Sequence, residues 1–513
     1  MNKLILVWFR NDLRIHDNEV LLEATRKGDA IVPVYCFDPR HYGPTLYSTR
    51  KTGPIRAQFI LESVADLKRN LQALGGNLIT LMGKPEELIP QLAVQYGVNE
   101  VYHHREVATE EIGVSERVET ALWKHKINLK HFIGHTLYHK EHLPFPIKDI
   151  PDVFTNFRKK VEKESTVRPC FSEPSSICIP ENLLVDNLPS LSDLGYDGQS
   201  SLDSRAVLQF KGGESEGLKR MQEYFWEQDL LKTYKVTRNG LLGANYSSKF
   251  SAWIALGCLS PRKVYWEIKK YEKERVANDS TYWLIFELLW RDYFRFMFKK
   301  YDNKFFLKAG FKGQAPSEAP NQQELFERWK KGETGVPFID ANMRELHATG
   351  FMSNRGRQNV ASYLCNDLKL DWRLGAAYFE QQLIDYDVCS NWGNWAYLAA
   401  VGNDPRDNRY FNIEKQSQTY DKNKEYSKDD YVFLNNQSSR DGFYYFSGDE
   451  PVKNVSPLGA NEVWTQKFYF QPDMAQQLSF DDNAYKNNLG DFYLYQNDGI
   501  NPNSFDFSLT FNN

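Results

Sequence analysis

The chain has 513 residues, a formal net charge of −4 and a mean hydropathy of −0.59. That length predicts more than one folded core, and the near-neutral charge predicts neither a nucleic-acid coat protein nor a membrane-surface binder. The sum hides an asymmetry, because residues from Ser427 onward carry −7 and the rest of the chain +3.

The first apolar run, Leu4–Phe9, is too short for a signal peptide or a membrane span. It and the runs at 30–37, 78–82, 100–104 and 129–133 alternate with helical patterns such as 57–74 and 85–96. This predicts a parallel α/β layer over residues 1–133, with ligands beyond the strand ends at Arg10, Asn11, Asp12, Asp38 and Arg40. No G-x-G-x-x-G follows the first run, which disfavours a Rossmann-type dehydrogenase. Residues 134–205 are rich in Pro, Ser and acidic side chains with little periodicity, and read as an interdomain connector. Apolar residues at three and four spacing in 218–234, 261–273, 281–299 and 336–347 predict a helical second domain over 206–426. The tail, 427–513, is rich in Asn, Asp, Phe and Tyr and reads as disordered or irregularly extended, with its aromatics open to docking or aggregation. Six cysteines without a C-x-x-C pair fit a reducing compartment, so a cytoplasmic protein is expected.

Four segments carry chemistry. In D-Y-D-V-C-S-N-W-G-N-W-A-Y, Asp385 and Asp387 suit a helix start, and Asn391 and Trp395 share one face. A Trp-rich core helix with acidic caps explains it equally well. In T-Y-W-L-I-F-E-L-L-W-R-D-Y-F-R, Glu287, Trp290 and Arg291 share a face that suits stacking on a base and accepting hydrogen bonds from its edge. The alternative is an amphipathic core helix with charged margins. G-F-M-S-N-R-G-R-Q-N-V groups Asn354, Arg355 and Arg357 for phosphate contact, or is a solvated loop capped by Ser353 or Asn354. N-Y-S-S-K-F-S, 245–251, offers hydroxyls and amides at a helix start as an anion site, or is a serine-rich cap.

Taken in order, these segments with W-F-R-N-D-L-R-I-H-D-N, K-T-Y-K-V-T-R-N-G and the A-W-I-A-L-G-C-L-S-P-R continuation resemble the cryptochrome/photolyase family, and within it the DASH-type cryptochromes, from residue 3 to about 426. The resemblance implies an α/β antenna domain, a connector and a helical domain holding FAD. It implies Tyr234, Ser247, Ser248, Lys249, Phe250 and Ser251 at the FAD phosphates, and Asp385, Tyr386 and Asp387 at the sugar and isoalloxazine. Arg357 would pair with Asp385, and Asn391 would accept a hydrogen bond from flavin N5. The reaction implied is light-driven electron transfer from reduced FAD to cyclobutane pyrimidine dimers, mainly in single-stranded DNA, where extruding the dimer is easier. Glu287 would bond the flipped bases, Trp290 would pack on them, and Arg238, Arg291, Asn354 and Arg355 would serve the DNA. The alternative is a blue-light photoreceptor or transcription regulator with DNA binding and marginal repair.

Tyr397 stands where duplex-active photolyases have tryptophan, and its smaller stacking surface points to single strands. Met352, Ser353 and Asn354 replace the histidines of the (6-4) class, which is set aside. Trp395 and Trp372 match the inner members of the family's tryptophan relay, but residues 313–325 contain no aromatic for the outer one, and Trp329 reads as core. A folate antenna, 5,10-methenyltetrahydrofolate, is implied in the α/β domain, with Glu106 as a pterin contact; the alternative is an exposed strand-end glutamate. No metal site and no membrane contact are expected, and a monomer is. The tail departs from the family and is either a surface for an unidentified protein partner, a nonfunctional extension or a sequence error.

Overall fold

The run LILVWF at Leu4–Phe9 is buried from Ile5 onward, as a strand covered on both faces must be. In the computed structural model, which describes residues 3–184, 186–197, 203–406 and 409–428, it forms β1 at the centre of a sheet. The other strands are β2 (Ala30–Phe37), β3 (Ile79–Met82), β4 (Glu100–His104) and β5 (Asn128–Phe132). All are parallel, in the order β3-β2-β1-β4-β5, with Leu6 opposite Val32 on one side and Val101 on the other. Helices α1 (Glu19–Lys27), α2 (Pro54–Ala73), α3 (Pro85–Gln95) and α4 (Thr109–Trp123) link the strands. One side of the sheet buries Leu6, Trp8, Val34 and Ile79 against Ile89 and Val118. Strand order reverses between β1 and β4, which opens a crevice beyond their carboxyl ends.

Residues 134–205 are more than a tether. They contain helix α5 (Phe154–Glu164), which the sequence reading missed, and it buries Phe154, Phe157 and Val161 at helical spacing. The segment is also pinned along its length. Ile31 N–H donates to Cys178 O at 2.8 Å, Phe171 N–H to Asp17 at 2.9 Å, and Leu137 and Tyr138 N–H to Asp292 at 2.9 and 2.8 Å.

The remainder is helical, matching the expected class of a parallel α/β layer followed by a helical part. It comprises α6 (Glu214–Gln222), α7 (Tyr234–Thr237), α8 (Ser251–Ala255), α9 (Pro261–Glu274), α10 (Asp279–Tyr301), α11 (Gln322–Lys331), α12 (Pro337–Thr349), α13 (Asn354–Ser362), α14 (Trp372–Gln382), α15 (Val388–Leu398) and α16 (Ile413–Tyr420). One wide π-type turn extends α6 over Glu223–Glu227, and another extends α13 over Tyr363–Asp367. The long α10 starts at a reciprocal cap between Asn278 and Thr281.

Sheet and helices share buried polar contacts. Asp17 pairs with Arg262 at 2.8 Å and with the Ser260 hydroxyl, while Arg14 donates to Gly257 O at 2.8 Å. Gly257 has φ +68°, and a Cβ there would lie 1.9 Å from Asn11 O, so the close approach requires glycine. Among the described residues, no helix is long and apolar enough to cross a membrane. Apart from its first two residues, the acidic tail read from the sequence lies outside the described residues.

Candidate functional site

A cavity of about 460 Å³ opens between α10, the 246–255 segment, α13 and α15. Tyr234, Arg238, Ser247, Ser248, Lys249, Phe250, Ser251, Glu287, Trp290, Arg291, Asn354, Arg357, Asp385, Asp387 and Tyr397 all line it. Residues from all four of the segments that carry chemistry, with Tyr234 and Arg238 from K-T-Y-K-V-T-R-N-G, thus line one cavity.

At one end, Lys249 adopts a left-handed φ of +59° within the serine-rich loop and is buried. Its ammonium has no hydrogen-bond partner among the described residues and lies 3.3 Å from the centre of the Tyr246 ring. Burial lowers its pKa to about 7. Arg220, which the sequence reading missed, braces this loop from behind by donating to Ala244 O at 2.9 Å and Ser248 O at 3.3 Å. Helix α8, opened by Ser251, has only five residues, so the attraction for an anion rests on Lys249 and the hydroxyls more than on a helix dipole.

Farther along, Arg357 donates to Asp385 Oδ2 at 2.9 Å and to Met352 O at 2.9 Å. Asp385 Oδ1 is buried without a partner among the described residues, which suits an N–H or hydroxyl of a ligand. Asp387 caps α15 by accepting from Ser390 N–H at 2.9 Å. Burial opposes its charge, but Arg295 at 2.6 Å and Arg291 at 3.5 Å outweigh that and hold it below the usual carboxylate range.

Glu287 faces the opening and pairs with Arg238 at 2.8 Å. Burial raises its pKa, and the Arg238 charge offsets only part of that rise. Trp290 stacks on Phe154 of α5 at 3.7 Å and 12°, so the connector backs this wall. Tyr397 meets Trp290 edge-on at 5.8 Å, and its hydroxyl accepts from Arg409 at 2.6 Å. Arg409 lies in a stretch with no motif and was not anticipated.

Two arginines expected at the DNA have partners within the protein. Arg291 donates to the carbonyls of His135 and Ile254 and to Asp387, and so braces the cavity it lines. Arg355 is half-buried and donates to Gln358 and Asn239 at 2.9 and 3.1 Å, with the Tyr420 ring beneath it. Asn354 is exposed at the rim, and Ser353 is the cap of α13.

Asn391, Trp395 and Trp372 are buried behind the lining. Asn391 Nδ2 donates to Ala376 O at 3.0 Å, which fixes the amide and leaves Oδ1 as an acceptor. Trp329 is fully buried with its indole N–H on Val360 O, a core residue as expected, and it meets Trp395 edge-on at 6.2 Å.

Two family models match this chain, "DNA photolyase" over residues 5–175 and "FAD binding domain of DNA photolyase" over residues 283–437. The cryptochrome DASH of Synechocystis sp. is 54% identical over 420 residues, covering 81% of this chain and 85% of the relative. That of Xenopus laevis is 52% identical over 432 residues, covering 83% and 82%. The chain belongs to the cryptochrome/photolyase family, among its DASH-type cryptochromes. The solved Synechocystis cryptochrome superposes with a TM-score of 0.80 at 53% identity, over 83% of this chain and 88% of that one. A class III photolyase from Agrobacterium tumefaciens superposes with a TM-score of 0.73 at 25% identity, over 83% and 86%.

In a DASH-type cryptochrome the helical half is the FAD-binding domain, and the main cavity fits such a ligand. An unpartnered ammonium at one end suits its phosphates, and an unpartnered carboxylate oxygen farther on suits its hydroxyls and N–H groups. A second cavity of about 110 Å³ lies beyond the carboxyl ends of β1, β2 and β4, where Arg10, Asn11, Asp38 and Glu106 gather. Glu106 is only 4% exposed, which overturns its reading as an exposed strand-end glutamate. Burial disfavours its charge, but His135 at 3.1 Å and Arg295 at 2.9 Å hold its pKa well below the usual range. His104, Glu106 and His135 present atoms within 4.8 Å of one another, yet both Glu106 oxygens are taken and the Arg295 guanidinium repels a cation. Tyr386 lines this second cavity, as Asp387 also does, with Arg56 4.3 Å over its ring.

Proposed function

We propose that this DASH-type cryptochrome is a light-dependent lyase that binds DNA and splits cyclobutane pyrimidine dimers, mainly in single strands, with FAD in the main cavity. One observation carries the reading: the unpartnered Lys249 ammonium and Asp385 oxygen share a cavity with the Glu287–Trp290 wall. When bound, FAD supplies the electron that opens the dimer.

The protein's own side chains do the rest. Lys249 and the hydroxyls of Tyr234, Ser247, Ser248 and Ser251 hold the phosphates, with Phe250 packed beside them. Arg357 and Asp385 hold the sugar and ring region, and Asp387 anchors α15 beneath it. The Asn391 amide, oriented by Ala376 O, is the acceptor we assign to flavin N5. Glu287, oriented by Arg238, accepts hydrogen bonds from the dimer's edge, and Trp290, flattened against Phe154, packs on its face. Asn354 at the rim serves the DNA backbone. Trp395 and Trp372 carry electrons toward oxidised flavin. Tyr397 is tethered by Arg409 and offers a smaller face than an indole, so bases already unpaired are the easier substrate. The second cavity is the place for the folate antenna, 5,10-methenyltetrahydrofolate, with Glu106 facing it.

The test follows dimer loss from irradiated single-stranded and duplex oligonucleotides, in blue light and in darkness, with the flavin reduced. Light-dependent loss that is faster on single strands is expected. Tight DNA binding with no dimer loss would end the lyase reading in favour of a photoreceptor.

A further inference from the structure

With no aromatic residue between 313 and 325, the ring contacts around Trp395 indicate where an electron can enter from the surface. Two paths lead away from it. One runs through Trp329 at 6.2 Å to Tyr378 at 5.9 Å and ends inside the protein: Tyr378 is 4% exposed, and its hydroxyl is held by Gln382 at 3.0 Å.

The other begins at Trp392, one turn before Trp395 on α15 and 5% exposed. The Trp392 ring lies 5.8 Å from that of Trp372 and 6.2 Å from that of Tyr47. Tyr47 is half-buried and sits beside Leu46, which is 99% exposed. Trp392 donates its indole N–H to the buried Glu380 carboxyl at 3.3 Å. Trp372, Trp392 and Tyr47 therefore form a run of oxidisable rings that starts one helical turn from Trp395 and ends at a half-buried phenol beside the surface.

Resting on the relay reading above, we propose that Trp392 and Tyr47 form the surface end of the electron relay, in place of an outer tryptophan. Trp395 gives one electron to the light-excited oxidised flavin, and Trp392 refills Trp395 directly or through Trp372. Tyr47 refills Trp392 and releases its phenolic proton to water. An external thiol then returns one electron and one proton to the Tyr47 oxygen, and two such thiols pair as a disulfide. The Glu380 carboxyl, accepting the Trp392 N–H, stabilises the positive charge that develops on the indole while its ring is short of an electron.

The experiment measures blue-light reduction of the bound flavin in the full-length protein with a thiol donor, and identifies the light-induced radical by electron paramagnetic resonance. Flavin content and melting temperature verify folding of every variant. Trp395→Phe, Trp392→Phe and Tyr47→Phe should each slow reduction roughly tenfold or more. Tyr47→Trp should restore the rate, and the tyrosyl signal should be present in the parent and absent from Tyr47→Phe. A parent-like rate in Trp392→Phe or Tyr47→Phe, with Trp395→Phe slow, overturns this exit and leaves the relay standing. Parent-like rates in all three overturn the relay itself.

Discussion

The Lys249 amine has no hydrogen-bond acceptor among the described residues, and this couples flavin binding to protons. Between about pH 7 and 10.5 the amine is neutral in the flavin-free protein but charged in the unfolded chain. The unfolded state binds the extra proton, so stability of the flavin-free protein rises with pH across that window. A phosphate placed beside the amine restores its charge, so flavin binding takes up a proton and weakens as pH rises. Calorimetry at about pH 8, in two buffers of different ionisation enthalpy, should show uptake approaching one proton. Lys249→Met should abolish the uptake and weaken flavin binding by roughly ten- to hundredfold. Glu287 offers a second test. Glu287→Gln should lower dimer splitting by roughly tenfold or more while DNA affinity falls by less than about threefold. Because burial raises the Glu287 pKa, splitting should fail on acidification at a midpoint above the 4.5 of an ordinary glutamate. A midpoint at or below that value would remove Glu287 as the hydrogen-bond acceptor.

At the scale of elements, α14 and α15 are joined by a missing side chain. A Cβ on Gly375 would lie 2.2 Å from the Trp395 ring, so Gly375→Ala must push that indole aside. It should destabilise by about 1–3 kcal/mol in urea unfolding and also slow flavin photoreduction. An unchanged midpoint would mean that the two helices give way freely. Strands β1 to β4 and α2, α3, α9, α10 and α12 were legible in the sequence because each buries apolar residues, with period near 3.6 in the helices, whereas β5 has no buried residue. Helix α5 was not, since FTNFRKKVEKE spends its length on charge and buries only Phe154, Phe157 and Val161. The site was legible as separate motifs, which place Glu287, Asp385 and the serine loop on helices or at their starts. What could not be read was orientation. Arg291 sits four residues after Glu287 on α10, yet turns to the carbonyls of His135 and Ile254, which come from distant segments. Arg295 and Arg220 were missed for the same reason, because the groups that orient them are carboxylates and carbonyls well away in sequence.

Over the described residues as a whole, the α/β layer and the helices are linked by charges that neither could bury alone. Asp17 is fully enclosed and bound to Arg262 and Ser260, while Glu214 accepts from Ile15 and His16 N–H at 2.8 and 2.9 Å. Removing one member leaves the other uncompensated, so Asp17→Asn should destabilise by about 3–5 kcal/mol. Far-ultraviolet circular dichroism and tryptophan fluorescence should then report one coincident transition in parent and variant alike. Two separated transitions would show that the layers stand independently. Arg295 has the same character on a finer scale, with one guanidinium between Asp387 at 2.6 Å and Glu106 at 2.9 Å. Both carboxylates line the second cavity and Asp387 also lines the first, so a single cation balances charge at both cavities. A lineage that neutralised one of the two acids would leave Arg295 half-matched, and the remedy would have to arise across the molecule. Positions 106, 295 and 387 should therefore change together or not at all as these proteins diverge.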